Sequence, residues 1–225
     1  MSANNSPPFV NMCLNACPVI DMTLSTVPTT IVPLTPNPLS LYEKVTNVIE
    51  NVTTLFREED KSVLDLIFKC RGAVYGGYLR DIISKTVPKD IDIVVSETYK
   101  SEFETGMATL GYEMSYNDAN ETDVYTKAGA LDIEVYYLPD EPDDISMGPV
   151  ADPDFSVNLL SYVDGRLHVW IGEGFKDLSL VDVIEDIILK ETTQLSPNAS
   201  EERIQKIQDK GYKIIGQRNL DKEGR

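Results

Sequence analysis

Histidine is almost missing from this chain: His168 is the only one in 225 residues. That removes most acid–base schemes built on imidazole, so any chemistry must rest on carboxylates, metal ions, Lys/Arg or hydroxyls. Flanked by Leu167 and Val169, His168 reads as a strand residue rather than a ligand. Cysteine is sparse as well. Cys13, Cys17 and Cys70 form no paired framework, which suits a reducing compartment and an expected cytoplasmic location. Cys13-x-x-x-Cys17 lacks the two further ligands a structural zinc site needs. Positive charge is also short: 20 Lys+Arg stand against 37 Asp+Glu, a net −17. No dense basic patch of the kind that grips a polyanion is evident. The exception is Glu201 to Arg225, with seven basic residues against five acidic ones. No apolar run approaches a membrane span, and the N-terminus has no basic n-region, so neither a membrane segment nor a signal peptide is expected.

What is present divides unevenly. Residues 1–38 hold seven of the 13 prolines and a single charge, Asp21. Pro7-Pro8 and Asn37-Pro38 break regular structure, so 1–38 reads as an irregular, extended or disordered arm. Its apolar residues, Phe9, Val10, Ile31, Val32 and Leu34, leave room for docking on a partner. Ser40-Leu41-Tyr42-Glu43 has capping-box spacing and opens a helix with Val45, Val48, Ile49 and Val52 on one face. A second helix is expected over 61–69, a short strand over 73–75, and a helix from Tyr78 to about Lys85. Strands follow at 91–96, 112–117, 122–127 and 131–138, with a helix over 97–110 before the last three. Asp164-Gly165 predicts a hairpin turn. Helices are expected over 181–190 and 200–210, with Arg203, Lys206 and Lys210 recurring at three- and four-residue spacing. The sequence therefore divides into the 1–38 arm, a body over 39–190, and a C-terminal helix with a basic tail over 191–225.

The chemistry lies in the middle. In Asp90-Ile91-Asp92-Ile93-Val94-Val95, period-two geometry sends both aspartates to one face and Ile91 and Ile93 to the other. Adjacent carboxylates on a strand repel, and hard oxygen ligands suit Mg²⁺ or Mn²⁺. Two such ions about 4 Å apart polarise a phosphate and activate a hydroxyl. Upstream, Gly76-Gly77 follows a strand and opens a helix, where bare backbone can approach a phosphate. Arg80 sits on the first turns of that helix and can reach the same phosphates.

Taken together, Gly76-Gly77-Tyr78-Leu79-Arg80-Asp81 and Lys89-Asp90-Ile91-Asp92-Ile93 resemble the signature of the poly(A) polymerase/CCA-adding head domain. That domain belongs to the DNA polymerase β-like nucleotidyltransferase superfamily. Gly129-Ala130-Leu131-Asp132-Ile133-Glu134-Val135 is similar to the family strand bearing a third carboxylate, with Glu134 the better match and Asp132 the alternate. Asp154-Phe155-Ser156-Val157-Asn158-Leu159-Leu160 is similar to a further family block. The resemblance covers about residues 70–190.

It implies an α+β nucleotidyltransferase fold, a mixed β-sheet flanked by helices, here in a short stand-alone form. It further implies two Mg²⁺ (or Mn²⁺) ions, an NTP substrate with ATP the expected one, and RNA processing at a 3′ hydroxyl. Asp90, Asp92 and Glu134 (or Asp132) would bind metal. Gly76, Gly77 and Arg80 would hold the triphosphate, Asp81 would orient Arg80, and Asn158 would touch the nucleotide. Two departures stand out: Pro153 replaces the family arginine before Asp154, and the base-selecting Glu-Asp-x-x-Arg block is not recognisable. They keep two other readings open. One is a catalytically degenerate head serving as a binding or structural subunit, with the arm or C-terminal tail contacting a protein partner. The other is an enzyme that nucleotidylates a protein.

Overall fold

The structure is a computed structural model that describes residues 39–117, 122–139, 153–169 and 178–217. The arm of 1–38, Cys13 and Cys17, most of the acidic loop after Pro139, and 218–225 lie outside the described residues.

Helix α1 (Leu41–Asn51) starts at the expected cap. Ser40 accepts from the Glu43 N–H, and the Glu43 carboxylate accepts from the Ser40 N–H. Helix α2 (Lys61–Lys69) leads to strand β1 (Ala73–Tyr75) and helix α3 (Gly77–Ile83). Strand β2 (Asp90–Ser96), helix α4 (Lys100–Thr109) and strands β3 (Glu113–Asn117), β4 (Thr122–Thr126) and β5 (Asp132–Leu138) follow. Further along the chain, a 3-10 turn at Ser156–Asn158 precedes the hairpin of β6 (Leu160–Val163) and β7 (Arg166–Val169). Asp164 and Gly165 both have positive φ, 49° and 80°, the two-residue turn their dipeptide predicts.

Seven strands form one mixed sheet in the order β3-β4-β5-β2-β1-β6-β7. Only β2 and β5 run parallel; the other pairs are antiparallel. One face of the central strands, Val74, Ile91, Ile93, Val95, Ile133 and Val135, is fully buried. It packs in one core with Val45 and Val48 of α1, Leu64 and Ile67 of α2, Leu79 of α3, and Phe103 and Met107 of α4. That burial fixes register, because a slip of one residue would turn both aspartates of β2 inward; Ala73, Val94 and Val163 form a smaller buried cluster of their own.

The C-terminal part is more than a helix and tail. Helix α5 (Leu180–Leu189) buries Val183, Ile184 and Ile187 in the same core. Strands β8 (Glu191–Gln194) and β9 (Lys213–Gln217), on either side of helix α6 (Glu201–Asp209), form a separate parallel pair. Polar sequences such as Glu191-Thr-Thr-Gln carry no strand periodicity, so neither β8 nor β9 was legible beforehand. Phe155 bridges to Gln194, and the Leu195 N–H donates to the Asp154 carbonyl at 2.7 Å. Residues 191–217 are thus hydrogen-bonded to the body at the turn that carries Asn158. Among the described residues, no helix is long and apolar enough to cross a membrane.

Candidate active site

The pleat of two neighbouring strands builds the acidic wall. Asp90 is the register partner of Asp132 and Asp92 that of Glu134 across the parallel β2–β5 pair. Register partners on a sheet present their side chains to the same face. Asp90, Asp92 and Glu134 line a cavity of about 420 Å³. Asp132 is exposed at the start of β5 and does not line it. Of the two β5 candidates, Glu134 lines the cavity and Asp132 does not.

The carboxylates perturb one another. Burial pushes the Asp92 carboxyl up to about 7, and the neighbouring Asp90 and Glu134 charges add to the effect; Lys206 and Arg80 oppose it. Glu134 is also raised, by burial first and then by Asp90. None of the three makes a salt bridge within the described residues, so their charge is left for something else to offset. Among those residues no three of His, Cys, Asp or Glu are arranged to hold a metal ion by themselves. The donors nevertheless fit a hard cation of the Mg²⁺ type. Such an ion commonly takes one or two carboxylates and completes its shell with phosphate and water oxygens.

Facing this wall is the turn between β1 and α3. Gly76 has φ 68° and ψ −125°, a conformation essentially reserved for glycine. Its N–H is tied to the Leu160 carbonyl at 2.8 Å. A Cβ at Gly76 would lie 3.9 Å from the Asp92 carboxylate, which shows how near the turn comes to the acidic wall. Gly77 lines the cavity.

Arg80 lies on the same wall although it is only 6% exposed. Its Nε donates to Asp81 Oδ1 at 2.8 Å and its Nη1 to Asn158 Oδ1 at 2.5 Å. Asp81, 1% exposed, does not itself line the cavity. It holds Arg80 from behind and receives the Lys210 ammonium on its other oxygen. Its Nη2 also lies 2.8 Å from Asp81 Oδ1, and with five N–H donors the guanidinium keeps some beyond these bonds, on a cavity it shares with the carboxylates.

Of the residues expected from the sequence, the structure places Gly77, Arg80, Asp90, Asp92, Glu134 and Asn158 around one cavity, while Gly76 and Asp81 do not line it. A further set of lining residues was not expected from the sequence. Ser200, Glu202, Arg203, Lys206, Ile207 and Lys210, from α6 and its flanks, also line the cavity. Their three- and four-residue spacing marked one helical face, but nothing local said which surface that face would meet. In all, five cations (Arg80, Lys89, Arg203, Lys206, Lys210) and five carboxylates (Asp90, Asp92, Glu134, Asp154, Glu202) surround the space. By formal count the two signs lining the cavity are equal, in a protein of net charge −17.

No family profile matches the chain, and no curated protein does. Several solved structures are similar to it. A CCA-adding enzyme in complex with ATP shares 19% identity over 64% of this chain and 35% of its own, with a TM-score of 0.47. A tRNA-processing enzyme in an apo form shares 18% over 73% of this chain and 45% of its own, at 0.48. The Thermotoga maritima CCA-adding enzyme complexed with tRNA shares 20% over 63% of this chain and 35% of its own, at 0.38. The chain spans less than half the length of each of these proteins.

Proposed function

We propose that the protein is a metal-dependent nucleotidyltransferase that moves a nucleoside monophosphate from an NTP, ATP first among them, to an RNA 3′ hydroxyl. One observation carries this reading. Asp90, Asp92 and Glu134 stand on two adjacent parallel strands and share a single cavity with Gly77 and a buried, pre-oriented Arg80. A carboxylate platform facing a guanidinium and a glycine turn suits the triphosphate of a nucleotide.

Asp90, Asp92 and Glu134 would hold Mg²⁺ or Mn²⁺, which when bound polarises the α-phosphate and acidifies the attacking hydroxyl. The chain's own residues do the rest. Gly76 and Gly77 let backbone approach the phosphates without a side chain between them. Arg80, fixed by Asp81 and Asn158, neutralises charge on the triphosphate without having to reorganise. Glu134, the less enclosed member of the Asp92–Glu134 pair, would take the proton of the attacking hydroxyl. The new bond forms between that oxygen and the α-phosphorus, and the bond to the β-phosphate oxygen breaks with loss of pyrophosphate.

The test is transfer from labelled NTPs to RNA and to protein acceptors, with Mg²⁺ or Mn²⁺. The expected result is an RNA lengthened at its 3′ end with matching pyrophosphate release, abolished in Asp90→Ala and Asp92→Ala. Labelled protein with unlabelled RNA would move the reading to protein nucleotidylation. No transfer to any acceptor would leave a non-catalytic head.

A further inference from the structure

Helix α6 is amphipathic in an unusual way. Ile207, 3% exposed, and the half-buried Ile204 face the body. Arg203, Lys206 and Lys210, spaced three and then four apart, share the cavity wall. The two outer cations are already engaged. The Arg203 guanidinium donates to Asp154 Oδ2, and the Lys210 ammonium donates to Asp81 Oδ2. Asp154 lies at the turn before Asn158, and Asp81 lies behind Arg80. Each end of α6 is thus tied to one of the segments that shape the nucleotide side of the cavity.

Lys206, midway between these tethers, makes no salt bridge within the described residues. Its charge acts on both Asp92 and Glu134, holding down carboxyls that burial pushes up. Lys206 is exposed to solvent and lines the same cavity as the two carboxylates. A solvent-accessible lysine whose neighbours on the same face are both paired, and which lines a polar cavity shared with Arg80, is set for an anion that enters from outside.

We propose that Lys206 is the anchor for the terminal phosphates of the nucleotide, with the Arg203–Asp154 and Lys210–Asp81 pairs as the tethers that hold it across from the carboxylates. This rests on the nucleotidyltransferase reading. It adds that the polyphosphate is bound between two elements far apart in sequence, Arg80 of α3 and Lys206 of α6. The α-phosphate lies toward Asp92 and Glu134, and the β- and γ-phosphates lie toward α6. A compact ammonium suits this role, since it binds phosphate as a point charge without demanding one bidentate geometry.

The experiment is calorimetric titration of the full chain with Mg·ATP, with Mg·tripolyphosphate and with AMP, alongside the transfer assay. Lys206→Gln should weaken Mg·ATP and Mg·tripolyphosphate about tenfold, the scale of losing one charged hydrogen bond. AMP affinity and the unfolding midpoint should not move, and Lys206→Arg should retain most of the polyphosphate affinity. In turnover, the Lys206→Gln defect should appear in KM for NTP before kcat. Equal polyphosphate binding by Lys206→Gln and the parent chain overturns the proposal, even if the parent transfers nucleotide. So does a parallel loss of AMP binding with a lowered midpoint, which marks a structural role. If the parent binds tripolyphosphate through Lys206 but transfers nothing, the anchor stands and the transferase reading alone falls. A parent chain that binds none of the three ligands overturns both.

Discussion

Asp92 of β2 and Glu134 of β5 are register partners on adjacent parallel strands, and neither forms a salt bridge within the described residues. Two carboxylates so placed make the folded protein sensitive to pH in a direction opposite to that of a salt-bridged acid. The Asp92 carboxyl is pushed up to about 7 from an ordinary 3.8. Between those values the folded state keeps a proton that the unfolded state has released. The unfolded state then binds fewer protons, so stability falls as pH rises through this window. The expected result is a melting temperature that declines from pH 5 to pH 8 in the absence of divalent cations. Asp92→Asn should flatten that decline and exceed the parent at pH 8. Mg²⁺ should raise the parent's midpoint at pH 8 and leave that of Asp92→Asn nearly unchanged. Differential scanning fluorimetry with and without EDTA checks all three; a parent midpoint that climbs over this range contradicts the arrangement.

Gly76 separates backbone strain from steric collision. With φ 68° and ψ −125°, it occupies a region that side chains strongly disfavour, yet an added Cβ would meet nothing closer than 3.9 Å. Gly76→Ala should therefore cost about 1–3 kcal/mol through backbone strain alone. Because the turn positions both Gly77 and Arg80, nucleotide affinity should fall as well. Urea unfolding measures the first effect and Mg·ATP titration the second. A fully stable Gly76→Ala variant would mean that the turn can relax to an ordinary conformation.

The acidic wall and the glycine turn were legible because each is a local pattern. Alternating Asp-Ile-Asp-Ile states which face of β2 is wet, and Gly-Gly between a strand and a helix states where backbone is bare. The choice between Asp132 and Glu134 was not local. Both share a face in sequence and both are register partners of a β2 aspartate; only the course of the cavity, which Glu134 lines and Asp132 does not, separates them. The α6 wall was hidden for a similar reason. Arg203 lies 49 residues from Asp154, and Lys210 lies 129 from Asp81. Spacing along one helix names its face but not what that face meets.

Ser156 links the site to the C-terminal elements. Its hydroxyl donates to Asp186 Oδ2 at 2.9 Å and accepts from the Thr193 N–H at 3.0 Å. The single hydroxyl proton is spent on Asp186, so the Thr192 hydroxyl at 3.2 Å must be a donor to Ser156. Ser156→Ala leaves an acceptor and two donors unpaired in a site where Ser156 and Thr192 have no exposure. A loss of about 1–3 kcal/mol in urea unfolding is expected. The Asp186 carboxyl, raised by burial and held down by the Ser156 hydrogen bond, should rise further, which carbonyl-detected NMR titration would register. Asn158 sits two residues on in the same turn and grips Arg80, so KM for NTP should increase.

Asp81 offers the most direct test of how the walls are joined. It is almost fully buried and pairs on one oxygen with Arg80 and on the other with Lys210. Neutralising it strands two cations near each other. Lys210 is already lowered by burial and by the Arg80 charge, with Asp81 acting against both. Asp81→Asn should therefore destabilise the chain by about 3 kcal/mol or more, the usual penalty for breaking a buried pair from one side. The same change should loosen α6 and weaken Mg·ATP binding. Adding Lys210→Met to Asp81→Asn removes one stranded charge and should recover part of the stability. It should not restore nucleotide affinity, because the tether stays cut and Arg80 stays unsupported. A double-mutant cycle in urea, read beside Mg·ATP titrations of the same proteins, separates the two consequences. Equal losses in the single and double variants would show that Lys210 contributes nothing to the pair.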